Sequence, residues 1–161
     1  MDSSDGPPGL PLTVMERDMR LTAKSEYGVQ ALVFLAEKAG EGPVSAREIA
    51  EEQRIPIKFL EQLLVTLRKS GFVSAQRGAH GGFVLGRSAG DITVLEVVEA
   101  LEGPLSPSPC DGTRDCGHAS ACAAAPVWEE AGQALRDVLG AATIQTIASR
   151  QVALDAALAG S

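Results

Sequence analysis

The chain has 161 residues, 45% of them hydrophobic, and a formal net charge of −7 at pH 7. This composition is typical of a globular protein, and the length suits one domain with its own core rather than two large ones. No apolar run approaches the ~20 residues that cross a bilayer, so no membrane span is predicted.

The first eighteen residues are rich in Ser, Asp, Gly and Pro, a composition that favours a disordered N-terminal extension. They lack the basic flank and apolar core of a secretory signal, so we expect a cytoplasmic protein. In that reducing compartment structural disulfides are rare, and the odd number of cysteines, three, also argues against them.

Three helices are predicted next. The first runs from about Thr22 to Lys38, and a capping box of Ser45 and Glu48 opens a short second helix. A third helix begins near Pro56 and ends at Gly71. The buried stripes at helical spacing are Val29, Leu32, Val33 and Ala36 in the first helix, and Leu60, Leu63, Leu64 and Leu67 in the third.

The periodicity then changes. Residues 72–76 and 83–85 are short β-like runs on either side of a glycine-rich tip, which predicts a hairpin. Thr93 with Glu96 caps a further helix that ends near Gly103. After a Pro-, Gly-, Ser- and Cys-rich loop, a long helix is predicted from the spacing of Val127, Ala131, Leu135, Val138 and Ala142.

Three helices followed by a hairpin indicate a winged helix-turn-helix, so the fold class is mostly α with a small β-hairpin and a long C-terminal dimerisation helix. A helix that follows a loop, with no sheet to cover it, must bury its apolar stripe elsewhere, here against a second copy. The predicted divisions are an extension (1–18), a winged helix-turn-helix (19–88), a connecting helix (89–104), a cysteine loop (105–125), a dimerisation helix region (126–150) and a tail (151–161).

Charge is distributed unevenly along the chain. Residues 19–88 hold ten Lys and Arg against seven Asp and Glu, whereas the remainder holds four against fourteen. Local charge decides whether a surface can approach phosphate, so this region can bind double-stranded DNA despite the acidic whole. The third helix would read the major groove and the wing tip would contact phosphate or the minor groove. The candidate contacts are Lys58, Glu61, Gln62, Thr66, Arg68, Lys69, Arg77, Gly78 and His80.

Cys110, Cys116 and Cys122 stand in one loop with five residues between neighbours. Three soft thiolates favour zinc or an iron–sulfur cluster over magnesium or calcium. Structural zinc sites show closer cysteine pairs, so zinc with His118 as a fourth ligand ranks second. A redox pair or unligated loop thiols are the remaining alternative.

Several motifs together resemble the IscR/NsrR-type (BadM-type) winged-helix regulators, over about residues 19–148. The matching segments are MRLT at 19–22, EYG at 26–28, FLEQLL at 59–64, LRKSG at 67–71, RGxxGGFxLG at 77–86, LEGP at 101–104 and the C-x5-C-x5-C loop. The resemblance implies a homodimeric repressor of palindromic operators, controlled by a [2Fe–2S] or [4Fe–4S] cluster. It also implies that Met19 is the start of the core.

The resemblance leaves the fourth cluster ligand to be assigned. Where some family members have a His three residues after the last cysteine, this chain has Ala125. Others take an acidic ligand from the partner subunit at the eighth core position, which here is Glu26. We therefore expect Glu26, with His118 as its rival and Asp111, Asp115 or a small exogenous molecule as further candidates. The cysteine-responsive members lack the three-cysteine loop.

Two functions follow. The first is a transcription regulator that senses iron–sulfur supply, nitric oxide or redox state; the alternative is a zinc-bearing or thiol-switch regulator or interaction protein. An enzyme is not expected, because the sequence has no nucleotide loop and no plausible nucleophile–base pair.

Overall fold

The computed structural model of the protein describes residues 21–105 and 122–161. Within these ranges it is mostly helical with one antiparallel hairpin, as predicted. No helix here has the length and apolar character needed to span a bilayer. The elements in chain order are α1 (Ala23–Glu37), α2 (Ala46–Gln53), α3 (Ile57–Lys69), β1 (Val73–Gln76), β2 (Gly82–Leu85), a 3₁₀ turn (Ala89–Asp91), α4 (Val94–Glu102), α5 (Ala125–Ala141) and α6 (Ile144–Ala159).

Side-chain caps fix where the helices begin. The Ser45 hydroxyl accepts a hydrogen bond from the Glu48 amide at 3.1 Å, which starts α2. Thr93 and Glu96 form a full capping box at the start of α4. Each cap satisfies backbone donors that the first helical turn leaves without a partner, so both predicted starts are confirmed.

The wing is a hairpin in which Val73 lies opposite Leu85 and Gln76 opposite Gly82. Val44, in the connection between α1 and α2, pairs with Phe83 through two backbone hydrogen bonds of 2.9 and 2.7 Å. Gly82 permits this approach, because a Cβ there would collide with the Val44 carbonyl. The wing is thereby attached to the helical body along its second strand.

One core joins the N-terminal helices to the last helix. Leu32, Leu60 and Leu67 are fully buried in it, together with Ile144 of α6. A smaller cluster centred on Val98 lies between α4 and α5. The C-terminal helix therefore packs as part of the same body as the helix-turn-helix.

The C-terminal region differs from the expected helix region and tail, because it contains two helices and the second continues to Ala159. The chain is extended at Ala142, and Thr143 caps α6. Thr143 also forms a β-bridge with Thr93, in which the Val94 amide donates to Ala142 and the Ile144 amide to Ile92, both at 2.9 Å. These bonds hold the chain out of helical geometry and separate α5 from α6.

Candidate nucleic-acid interface and cysteine site

Helix α3 presents a polar face opposite its leucines. Leu60, Leu63, Leu64 and Leu67 are buried, as the spacing predicted. Thr66 is half-buried at the edge of the leucine face, so it is less accessible than the other α3 candidates. The exposed candidates on this helix are Lys58, Glu61, Gln62, Arg68 and Lys69.

Val65 also lies on this face, although it was not among the residues predicted to contact DNA. Its side chain is 53% exposed. Around the helix axis it lies about midway between Glu61 and Lys69, each four residues away and so rotated by about 40°. Its position relative to the leucine stripe was the signal that could have identified it.

Two cavities flank the exposed face of α3. One, of about 640 Å³, lies between α2 and the start of α3 and is lined by Ala50, Ile57 and Glu61 among others. The other, of about 350 Å³, is lined by Val65, Arg68 and Phe83 with their neighbours. Phe83 belongs to β2, so α3 and the wing border the same depression.

The wing tip is a tight turn in which the Gly81 amide donates to the Gly78 carbonyl at 3.0 Å. Gly78 has φ of +122°, a conformation that side chains rarely adopt. Arg77 and His80 are exposed beside it. Backbone and cation are thus both presented at the tip, where they can approach a nucleic acid.

Cations on this surface differ in their surroundings. Arg87, at the base of the wing, lies 4.9 Å from the centre of the Phe72 ring and 3.4 Å from a carboxylate oxygen of Glu96. Its guanidinium is therefore already engaged within the protein. Within residues 21–105 and 122–161 no ion pair engages the remaining basic groups. Those groups are Lys58, Arg68, Lys69 and Arg77.

Glu102 joins the end of α4 to the start of α1. Its carboxylate accepts hydrogen bonds from the Thr22 amide at 3.2 Å, the Thr22 hydroxyl, and the Ser25 hydroxyl at 2.9 Å. Burial raises the pKa of Glu102, but the hydrogen bonds from Thr22 and Ser25 outweigh it and leave the pKa below its usual value. Ser25 is 3% exposed, so this junction is partly shielded from water.

The predicted cluster ligands fall into two groups. Cys110, Cys116 and His118, with Asp111 and Asp115, lie outside the described residues. Cys122 is a half-buried free thiol three residues before α5. Glu26 is exposed in the first turn of α1.

Among the described residues no three His, Cys, Asp or Glu side chains group closely enough to hold a metal. In the same part of the chain no hydrogen bond or ion pair engages the Glu26 carboxylate. Glu26 and Cys122 are therefore each open to a further ligand.

Comparison with known proteins agrees with this architecture. Residues 21–150 match the Rrf2 family, described as iron-dependent transcriptional regulators. The HTH-type transcriptional regulator IscR of Xenorhabdus nematophila is 37% identical over 139 residues, covering 86% of this chain and 85% of that protein. IscR of Photorhabdus laumondii is 35% identical over the same shares.

Solved structures give the same relationship. The global cysteine regulator CymR of B. subtilis superposes with a TM-score of 0.70 at 35% identity, covering 82% of this chain and 98% of that one. T. potens IscR superposes with a TM-score of 0.68 at 36% identity, covering 83% and 88%. The chain belongs to the Rrf2 family and is a DNA-binding transcriptional regulator of the winged-helix type.

Proposed function

We propose that the protein is a homodimeric repressor whose operator binding is controlled by an iron–sulfur cluster. Cys110, Cys116 and Cys122 would supply three cluster ligands, and the partner's Glu26 the fourth. The proposal rests on the position of Cys122, a free and half-buried thiol next to the start of α5. Helix α5 exposes apolar side chains that a second copy could cover. The family's description as iron-dependent supports the metal.

The interface with DNA would consist of α3 and the wing. Lys58, Arg68 and Lys69 are exposed along one helix, and Arg77 stands at the tip. An α-helix fits the major groove of B-DNA, and unpaired cations gain from meeting phosphate through counterion release. A two-fold dimer imposes its symmetry on the DNA, so the operator would be palindromic with half-sites about one helical turn, or a multiple, apart.

Dimerisation would use α5. The prediction that Leu135 faces a second copy is wrong, because Leu135 packs with Leu139 against α4 within the chain. Val127 and Val138 of the same predicted stripe are 59% and 68% exposed. Trp128 adds a large aromatic surface that is 43% exposed. Several exposed apolar side chains on one helix are characteristic of a protein–protein interface.

The donor set fits an iron–sulfur cluster. Thiolates are the usual ligands of such clusters, and the half-buried Cys122 thiol is free. A carboxylate binds iron less strongly than a thiolate in this setting, which suits a cluster that must change. When bound, the cluster would supply a centre that is altered by oxidants, nitric oxide or iron shortage.

Contacts on either side of the cysteine segment support a connection from this segment to the DNA-binding helices. Glu102 joins the end of α4 to the start of α1, next to Glu26. In α5, which follows the cysteine segment, the Arg136 guanidinium donates a hydrogen bond to the Leu105 carbonyl at 3.0 Å. A change at the cluster would thereby act on α1 and α5 together, as a regulator requires.

A second candidate is a thiol switch without a cluster. CymR of Staphylococcus aureus, solved in an oxidised form, superposes with a TM-score of 0.66 at 32% identity. The three cysteines would then respond by oxidation, or hold zinc. The two candidates differ in colour, in sulfide content and in mass.

The deciding experiment is anaerobic purification followed by native mass spectrometry, a sulfide assay and fluorescence anisotropy with DNA. A brown dimer with bound iron and sulfide, whose operator affinity changes when the cluster is removed, supports the proposal. Cys122→Ser should lose the cluster and keep the fold. A colourless protein that binds DNA and responds only to oxidants or zinc favours the thiol switch.

A further inference from the structure

Val65 is an apolar side chain at the centre of a polar, cationic face. Single exposed apolar residues are common on protein surfaces and need no explanation alone. This one is 53% exposed, lies between Glu61 and Lys69 around the helix, and borders the 350 Å³ depression beside Phe83. A β-branched residue is also a poorer helix former than the residues usual on a helix surface.

The chemistry around Val65 indicates what covers it. Lys58, Arg68 and Lys69 are exposed on the same helix as Val65. No ion pair engages any of them in the described ranges 21–105 and 122–161. The same face also carries Glu61 and Gln62, and Val65 is its most exposed apolar side chain, ahead of Ile57 (39% exposed). Such a face is complementary to a surface that is anionic at its edges and apolar at one point. The major groove of DNA has phosphates along both edges, and the C5-methyl of thymine is an apolar group that it displays.

We infer that Val65 reads a thymine in each half-site of the operator by packing its branched methyls against the thymine C5-methyl. The inference rests on the proposed DNA-binding function and adds a base preference to it. Valine has no hydrogen-bonding group in its side chain, so it would discriminate only through the methyl. Replacing that thymine by deoxyuridine removes the contact without changing Watson–Crick pairing.

The test uses the full chain and a double-stranded oligonucleotide selected by the wild-type protein from a random pool. Each thymine is replaced singly by deoxyuridine, and affinities are measured by fluorescence anisotropy for the protein with and without its cluster. We expect one replacement per half-site to weaken wild-type binding about fourfold, the effect of burying one methyl-sized group.

Variants then link the methyl to the residue. Val65→Ala should bind the thymine operator about as weakly as the wild type binds the deoxyuridine operator, and should lose its sensitivity to the replacement. Val65→Ile keeps the branched methyls and should keep the sensitivity. Val152→Ala is the matched control, because Val152 is a similarly exposed valine (56%) on α6. It should behave as the wild type.

Two results would overturn the inference alone: no thymine that responds to loss of its methyl, or a Val65→Ala variant that stays as sensitive as the wild type. A wild-type protein that selects no sequence, with or without its cluster, would overturn the proposed function as well. Circular dichroism would verify that Val65→Ala is folded, as expected for alanine at an exposed helical position.

Discussion

Glu102 is the side chain on which the hydrogen bonds between α1 and α4 converge. Because its pKa in the folded protein is lower than in the unfolded chain, its carboxylate stabilises the fold above the unfolded pKa. That contribution is lost as the pH falls through the folded pKa. The junction is therefore strongest near neutrality and weakens in acid.

We expect Glu102→Gln to lower the free energy of unfolding by about 1 kcal/mol at pH 7, the difference between a hydrogen bond to a charged acceptor and one to a neutral acceptor. The difference from the wild type should shrink as the pH falls through the lowered pKa of Glu102, since the wild-type carboxyl is then protonated as well. Thermal unfolding at a series of pH values measures this. Glu52→Gln, at an exposed position of α2, is the control. A difference that does not change with pH would contradict the assignment.

Glu26 and His118 compete for the fourth ligand position. Glu26→Ala should change the visible absorption of the cluster and shorten its lifetime in air, because a protein ligand is lost. His118→Ala should leave both nearly unchanged. The opposite pattern would assign the role to His118, and no effect of either substitution would indicate an exogenous ligand.

Helix α5 has one side against α4 and another side exposed, and the proposed dimer depends on the exposed side. Val138→Asp introduces a charge at a position that is 68% exposed in the single chain. Burying an unpaired charge in an interface is strongly unfavourable, so the substitution should shift the protein towards monomer at micromolar concentration. Sedimentation velocity measures the shift.

The matched control is Leu158→Asp, on α6, where the leucine is 74% exposed. This substitution adds the same charge to a similarly accessible apolar position, and it should leave the sedimentation coefficient unchanged. Equal dissociation by both variants, or by neither, would place the interface elsewhere.

Elements with a local signal were predictable from the sequence. Thr93 and Glu96 form a capping box within four residues, and the leucines of α3 repeat at helical spacing. The break between α5 and α6 has a weaker signal, because Thr143 caps with Thr146 rather than with Glu or Gln. The extended geometry there depends on the bridge to Thr93, fifty residues earlier in the chain.

The candidate site was likewise predictable only where the sequence carries a local signal. The composition of α3 and the wing indicated a DNA-binding surface, but the half-burial of Thr66 and the exposure of Val65 depend on how the helix is rotated against the core. Glu102 could not be linked to Ser25 from the sequence, because nothing local relates residues 77 positions apart. Long-range contacts of this kind leave no periodic trace in a single sequence.

In the whole molecule, α6 contributes to the core beneath the helix-turn-helix. Ile144 is fully buried and Ala148 is 5% exposed in the cluster that contains Leu32 and Leu60. Ile144→Ala should therefore destabilise the entire protein by about 2–5 kcal/mol, through lost burial and a residual cavity. Chemical denaturation measures this, and Leu154→Ala, at an exposed position, should change it by under about 0.5 kcal/mol. A separate, early transition in the Ile144→Ala variant would mean that α6 unfolds on its own.

This placement of α6 constrains how the protein can be made and divided. During synthesis, α1, α2 and α3 leave the ribosome long before Ile144 does. Part of the apolar surface of the DNA-binding region therefore stays exposed to water until synthesis is nearly complete. For the same reason, a winged helix-turn-helix that ends at residue 88 and is fused to another sensor would lack the part of its core that α6 supplies. A transplantable unit has to include the chain as far as Ala148, and with it the cysteine segment that lies between.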